Sequence, residues 1–286
     1  MRILLIGRTG QLGADLLLAN RLHEIAAPTR DELDITRKPD VAAALAHHRP
    51  ELVINCAAFH NVPLCEEKPE EAFRVNCVAV RDLAVACRDY GSRLITFSSD
   101  YVFGGDKRAP YSENDLPRPL QVYGITRLAG EHAALAVAPQ HAIIIRTCGL
   151  YGHSGGRSKG GNFVDGRVAD VRAGKTIEMA CEQVIAPTAT ADLSVAVLAL
   201  AEHPQLQPGI YHLVNDGECS WYELTCAIVE ILGLPAKVIP VDRGGVTGAM
   251  RRPLYSVLGN NKARRLGIVL PSWRDALERY LKHKYS

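Results

Sequence analysis

Along the first half of the chain, short apolar runs alternate with longer amphipathic segments. Ile3–Ile6, Leu52–Asn55, Leu94–Ser98 and Ala142–Thr147 read as strands, and Glu24–Ala27 as a shorter one. Continuous runs such as Leu52-Val53-Ile54 suit strands covered on both faces. Between them, apolar residues recur at helical spacing over Gln11–Asn20, Pro39–His48 and Tyr123–Val137. Pro69–Tyr90 predicts one long helix, with Ala72, Val75, Ala79, Leu83 and Ala86 on a single stripe. Strand-helix alternation of this kind predicts an α/β fold built on a doubly wound parallel sheet.

The alternation weakens after Thr147. Gly149–Gly161 is rich in glycine and serine and reads as a loop, with Lys159 a solvated charge or part of a mobile lid. A strand-like stretch and Ala186-Pro187-Thr188 precede a helix over Ala191–Ala201, and Gly209–Val214 reads as a further strand. Trp221–Leu232 is helical, with Ser220 as N-cap and Gly233 as stop, and Asp275–His283 is a terminal helix. Trp221 and Trp273 read as packing residues. The expected division is a larger domain over 1–148, to which part of 186–215 returns, and a smaller C-terminal lobe from 149–185 and 216–286.

Composition narrows the function classes. The chain has 286 residues and a formal net charge of +2, which gives no reason to invoke nucleic acid or an anionic membrane as partner. No run approaches the roughly 18 apolar residues of a membrane span, and Met1–Gly7 is too short for a signal segment. The eight cysteines include no Cys-x-x-Cys pair, and no histidine cluster completes a zinc spacing; buried, reduced thiols and no metal site are expected. His47-His48 reads as an exposed helix end. A cytoplasmic protein is the expectation.

Gly7-Arg8-Thr9-Gly10-Gln11-Leu12-Gly13 joins the first strand to the first helix. Glycines allow the tight turn and let backbone approach a pyrophosphate, to which the helix N-terminus offers N–H groups and the positive end of its dipole. That context makes the first domain a dinucleotide-binding, Rossmann-type unit, with Gly7, Thr9, Gly10, Gln11, Leu12 and Gly13 at the cofactor. An acid ending the second strand would favour NAD; here Ala26-Ala27-Pro28-Thr29-Arg30 carries an arginine instead. Arg30 suits a 2′-phosphate, so NADPH is favoured, with NADH the alternative. Asp34 and Ile35 follow, at the adenine.

Reducing a ketone puts charge on the carbonyl oxygen, and a nearby acid must supply a proton. Tyr123 and Arg127 stand at i and i+4 on one predicted helix, where the cation lowers the phenol pKa. Ser99, at the carboxyl end of a strand, is placed to hydrogen-bond the same oxygen. Arg252 suits a diphosphate, as does its neighbour Arg251. Asn162 and Phe163 fit either a base-binding cradle or a turn with a core phenylalanine.

Ser99, Tyr123 and Arg127 together resemble the Ser/Thr–Tyr–Lys set of the short-chain dehydrogenase/reductases, with arginine in place of lysine. The resemblance is closer still to the dTDP-4-dehydrorhamnose reductase family. It is carried by Ser98-Ser99-Asp100-Tyr101-Val102-Phe103, Tyr123-Gly124-x-Thr126-x-Leu128-Ala129-Gly130-Glu131, Arg146-Thr147, Tyr151-Gly152, Gly161-Asn162-Phe163, Ala186-Pro187-Thr188, Arg252-Pro253…Ser256 and Leu270-Pro271-Ser272-Trp273. It implies an extended short-chain reductase fold and reduction of the C4 ketone of dTDP-4-dehydro-6-deoxy-L-mannose to dTDP-L-rhamnose with NADPH or NADH. It maps proton donation to Tyr123, carbonyl hydrogen bonding to Ser99, and substrate hydrogen bonds to Asp100 and Tyr101, with Val62 near the sugar. Asn55, Ala57, Ala58 and Asn76 fall at cofactor positions. The implied partner is a dTDP-sugar, with a homodimer as the expected assembly; the need for Mg²⁺ is left open.

Three positions depart from the family's pattern. Arg127 replaces lysine, Cys148-Gly149 stands where Ser-Trp is usual, and Phe59 and Pro63 replace Tyr and Asp. These changes bear on turnover and on which sugar is taken. Two other readings stay open on the sequence. One is a cofactor-binding regulatory protein resembling the β subunit of methionine adenosyltransferase; the other is an extended short-chain epimerase or dehydratase acting on a sugar nucleotide.

Overall fold

The computed structural model describes residues 1–154, 161–247 and 250–285; Lys159 lies outside these. Six strands form one all-parallel sheet. β1 (Arg2–Ile6), β2 (Glu24–Ala26), β3 (Leu52–Asn55), β4 (Arg93–Ser99) and β5 (Ala142–Thr147) come from the first half of the chain. The sixth, Gly209–His212, arrives much later and pairs with β5, giving the spatial order Gly209–His212, β5, β4, β3, β1, β2. The α/β, doubly wound expectation holds.

The period-2 alternation of β1 explains the two cores. Ile3 and Leu5 face Leu12 and Leu16 of the Gln11–Ala19 helix and Leu193, Val197 and Leu200 of the Thr190–Glu202 helix. Leu4 and Ile6 face the opposite layer, where Val41 and Leu45 of the Lys38–His48 helix, Leu83 of the Ala79–Asp89 helix and Ala134 of the Val122–Val137 helix pack. Both layers are fully dehydrated, as an all-parallel sheet requires.

Most predicted elements appear with shifts of a residue or two at their ends. The long Pro69–Tyr90 helix differs: it runs as Pro69–Phe73, a π-helical turn over Arg74–Val78, and Ala79–Asp89. The helices Val62–Glu67, Phe163–Arg172 and Asn261–Arg265 were not foreseen. Trp221–Leu232 is capped by Ser220 and ends at Gly233 in the left-handed region, as its sequence predicts, and Glu223 adds a capping box with Ser220. The chain closes with the Trp273–Tyr285 helix, and the remaining C-terminal elements are small, among them a parallel pair of Ile177–Ala180 with Val238–Val241. Among the described residues no helix is long and apolar enough to cross a membrane.

Candidate active site

The glycine-rich turn is closed by Gly10 N–H donating to Gly7 O (3.1 Å), and Gly10 caps the Gln11–Ala19 helix. No acidic residue stands in the first helical turn, so nothing there opposes an anion at the helix N-terminus. Asn55, at the carboxyl end of β3, is buried and accepts from Ala57 N–H (3.0 Å), which sets the course of the Ala57-Ala58 segment beside the turn. Arg8 projects from the turn and donates to the carbonyl of Ala27, just past the end of β2 (3.0 Å). It therefore crosses the place where a ribose 2′-substituent is read. Arg30 is exposed and lies 3.7 Å from Asp34. Asp34 itself is occupied in holding the Thr36 N–H and hydroxyl, and the Ile35 side chain is buried in the core. The donor set of this mouth, backbone N–H groups and two arginines, fits an NADP-type dinucleotide. Arg8 was quoted in the motif but not singled out; its charge inside a glycine loop was the available signal.

At the carboxyl end of β4 the chain makes a single 3-10 turn, Asp100–Val102, against the Val122–Val137 helix. That helix is capped by Gln121 and by Glu66, whose carboxylate accepts from Val122 N–H at 2.8 Å. The Val62–Glu67 helix, with Val62 at its start, packs against it. Tyr123 and Arg127 come together here as the i, i+4 spacing predicts, the guanidinium carbon 6.0 Å from the ring centroid. Burial pushes the Tyr123 phenol above its ordinary value; Arg127 pulls it down, Asp100 pushes it up and the Ser99 hydroxyl pulls it down. Tyr101 packs edge-on to Tyr123, with ring centroids 6.1 Å apart.

Asn76 sits on the π-helical turn and is almost completely buried. Its carbonyl oxygen accepts from Phe59 N–H (2.9 Å) and from Arg127 Nη1 (3.4 Å); its amide donates to Phe59 O (2.9 Å) and Thr126 Oγ1 (3.1 Å). One side chain thus ties the loop after β3 to the helix that carries Tyr123 and Arg127. A π-turn, which is common at functional sites, is what turns it inward.

Ser99 Oγ accepts from Tyr101 N–H (3.1 Å) and shares a 2.8 Å hydrogen bond with Asp100 Oδ1. Asp100 Oδ2 accepts from Ser256 Oγ (2.6 Å) and Cys148 Sγ (3.0 Å). Both carboxyl oxygens are thus engaged within the protein rather than offered to a substrate. Arg252 donates to the Tyr101 hydroxyl (3.1 Å) and reaches this site from the C-terminal region, whereas Arg251 is exposed. Gly149 lies against Pro187, where a Cβ would stand 3.1 Å from its Cα, at φ +55°; the backbone accepts no aromatic side chain there without moving.

Two expected binding residues are turned elsewhere. Asn162 is buried and caps the Phe163–Arg172 helix: its oxygen accepts from Asp165 N–H, and its amide bonds Gly152 O, Asp165 and Tyr280. With its polar atoms spent on the cap it has none left to read a base. Phe163 packs on Trp221 with ring centroids 4.4 Å apart. The turn-and-core alternative is the one that the geometry takes. Cys148 and Ser256, which complete the Asp100 cluster, carry no local pattern that marks them as partners. Among the described residues no group of three or more His, Cys, Asp or Glu gathers as metal ligands.

A parallel sheet with a dinucleotide mouth at its carboxyl end, and a serine, a tyrosine and a cation beside that mouth, define the chain as an extended short-chain dehydrogenase/reductase in architecture. The chain belongs to the family described as the RmlD substrate binding domain, which matches residues 1–286. It is similar to the dTDP-4-dehydrorhamnose reductase of Streptomyces griseus, 39% identical over 96% of this chain and 91% of that protein. It is also similar to the dTDP-4-keto-6-deoxy-D-glucose reductase of Streptomyces niveus, 37% identical over 96% and 95%. Among solved structures, dTDP-4-dehydrorhamnose reductase from Bacillus anthracis in complex with NADP superposes with a TM-score of 0.92, at 32% identity and 99% coverage of both chains.

Proposed function

We propose that the protein is an NADPH-dependent oxidoreductase that reduces the C4 ketone of a dTDP-4-dehydro-6-deoxysugar, dTDP-4-dehydrorhamnose in the first instance, to give dTDP-L-rhamnose. The observation that carries this reading is the convergence of Tyr123, Ser99 and Arg127 beside the glycine-rich turn, in a chain whose full-length relatives include reductases of such ketones. Bound NADPH supplies the hydride. The residues of the chain do the rest.

The helix N-terminus at Gly10–Leu12 holds the pyrophosphate, and Arg8 with Arg30 holds the 2′-phosphate. Asn55, Ala57, Ala58 and Asn76 shape the floor of the mouth. Tyr123 donates its phenolic proton to the oxygen that becomes the C4 hydroxyl, Ser99 hydrogen-bonds that oxygen, and Arg127 stabilises the phenolate left behind. The smaller C-terminal lobe covers the sugar nucleotide. From it Arg252, anchored on Tyr101, meets the diphosphate, and Val62 borders the sugar on the opposite side.

The test is direct. The protein is incubated with dTDP-4-keto-6-deoxyglucose, a 3,5-epimerase and NADPH, and nicotinamide absorbance is followed. Consumption of NADPH by the wild type, and loss of at least about a hundredfold in Tyr123→Phe with NADPH binding retained, is the expected result. Cofactor binding without any consumption overturns the reading.

A further inference from the structure

Asp100 is a carboxyl group at 4% exposure, and no cation is bonded to it among the described residues. The charged groups of the elements around it are engaged elsewhere: Arg252 bonds Tyr101 and Arg127 bonds Asn76. Among the described residues its side-chain partners are three neutral groups, Ser99 from β4, Cys148 just past β5 and Ser256 from the C-terminal region. The remaining titratable groups that act with it are the Tyr101 and Tyr123 phenols. A bare carboxylate in such a place is costly, whereas a carboxylic acid is not.

Counting donors and acceptors then gives a definite arrangement. We propose that Asp100 is a positioning residue that works as a neutral acid, its Oδ1–H donating to Ser99 Oγ and so turning the Ser99 proton toward the substrate carbonyl. Oδ2 is the carbonyl oxygen of the acid and accepts from Ser256 and Cys148. Ser99 Oγ has two lone pairs, one taken by Tyr101 N–H and the other by Asp100. Its own hydrogen has no acceptor left on Asp100 or the Tyr101 backbone and is directed to the Tyr123 side, where the phenol oxygen holds it until a substrate carbonyl takes that place. Ionising Asp100 reverses this. Ser99 must then donate to the carboxylate, its freed lone pair draws the Tyr123 hydroxyl, and the ketone oxygen loses both donors.

Burial, the largest influence, pushes the Asp100 carboxyl above its ordinary range, although Ser256, Cys148 and Ser99 pull the other way. Cys148 contributes in its own right: a thiol is a weak donor, so it stabilises the charged form less than the serine usual at this position in the family's pattern.

The proposal rests on the reductase reading, and the experiment separates the two. Infrared spectra of the holoprotein at pH 7, compared between wild type and Asp100→Asn, report the carboxylic-acid C=O stretch whether or not turnover occurs. We expect that band in the wild type and its loss in Asp100→Asn. Because asparagine offers the same donor and acceptors, Asp100→Asn keeps turnover within about threefold, where loss of a carbonyl donor costs about a hundredfold or more. Activity belongs to the acid form, so wild-type turnover falls as pH rises through the Asp100 pKa. That fall is absent in Asp100→Asn and moves to lower pH in Cys148→Ser. Absence of the infrared band, a hundredfold loss in Asp100→Asn with NADPH bound, or an unmoved alkaline fall in Cys148→Ser overturns the proposal. A wild type that shows the band yet reduces no ketone overturns the reductase reading and leaves the Asp100 assignment standing.

Discussion

At the scale of single residues, Arg127 is the informative substitution. It keeps a positive charge beside Tyr123, but a guanidinium does not deprotonate, so it tunes the phenol without passing a proton. Its charge favours the phenolate against burial. Removing it in Arg127→Met raises the Tyr123 pKa, which makes the phenol a weaker proton donor and leaves the phenolate that forms without its counter-charge; each unit is about 1.4 kcal/mol of lost phenolate stabilisation. We expect kcat to fall at least about tenfold in Arg127→Met and to recover largely in Arg127→Lys, measured by nicotinamide absorbance at saturating NADPH. Unchanged turnover in Arg127→Met contradicts this role. The pair was legible because helical spacing places i and i+4 on one face whatever surrounds them. Ser256 was not legible as an Asp100 partner, because 156 residues separate the two in the chain and nothing local marks the contact.

At the scale of elements, the π-helical turn is what the sequence hid. One extra residue in a turn leaves the apolar stripe from Ala72 to Ala86 almost intact, so a 3.6-residue period reads through it. The turn has a partner in Gly130, where a Cβ would run into the backbone carbonyl oxygen of Asn76. Gly130→Ala forces the two helices apart and costs about 1–3 kcal/mol, read by urea denaturation. NADPH affinity falls with it, because Asn76 also holds the loop after β3. A variant as stable as the wild type contradicts that contact. Helix caps were read unevenly. Ser220 stands just before an apolar helical run and reads as an N-cap, whereas Asn162 fitted a base cradle as well as a turn because a buried cap and a binding asparagine carry the same letter.

At the scale of the whole molecule, the parallel sheet was legible because each of its strands is an apolar run between helices. The short strands of the C-terminal region were not, since they are two to four residues long and several pair across large gaps in sequence. His212 sits where these parts join. Its ring Nδ1 lies 3.1 Å from Tyr111 O, Phe103 packs edge-on to it, and Arg146 and burial hold it neutral, burial first, with its pKa down to about 3. Below the ordinary histidine pKa of about 6.5 the unfolded chain takes a proton that the folded one refuses, so stability is present at neutral pH and drains as pH falls. Denaturant unfolding is expected to show about 2 kcal/mol lost from this group between pH 6.5 and 5, and a flatter profile in His212→Gln. Equal slopes for the two proteins contradict it. The sixth strand has a further consequence, for synthesis. At about 5–20 residues per second, a ribosome that has completed β5 takes roughly 3–12 s more to deliver Gly209–His212. Over most of that interval the Ile3 and Leu5 face of the nascent sheet also lacks the Thr190–Glu202 helix that covers it. A chain stopped early exposes a greasy surface beside an open strand edge, so the unfinished sheet is the aggregation-prone stage of its synthesis.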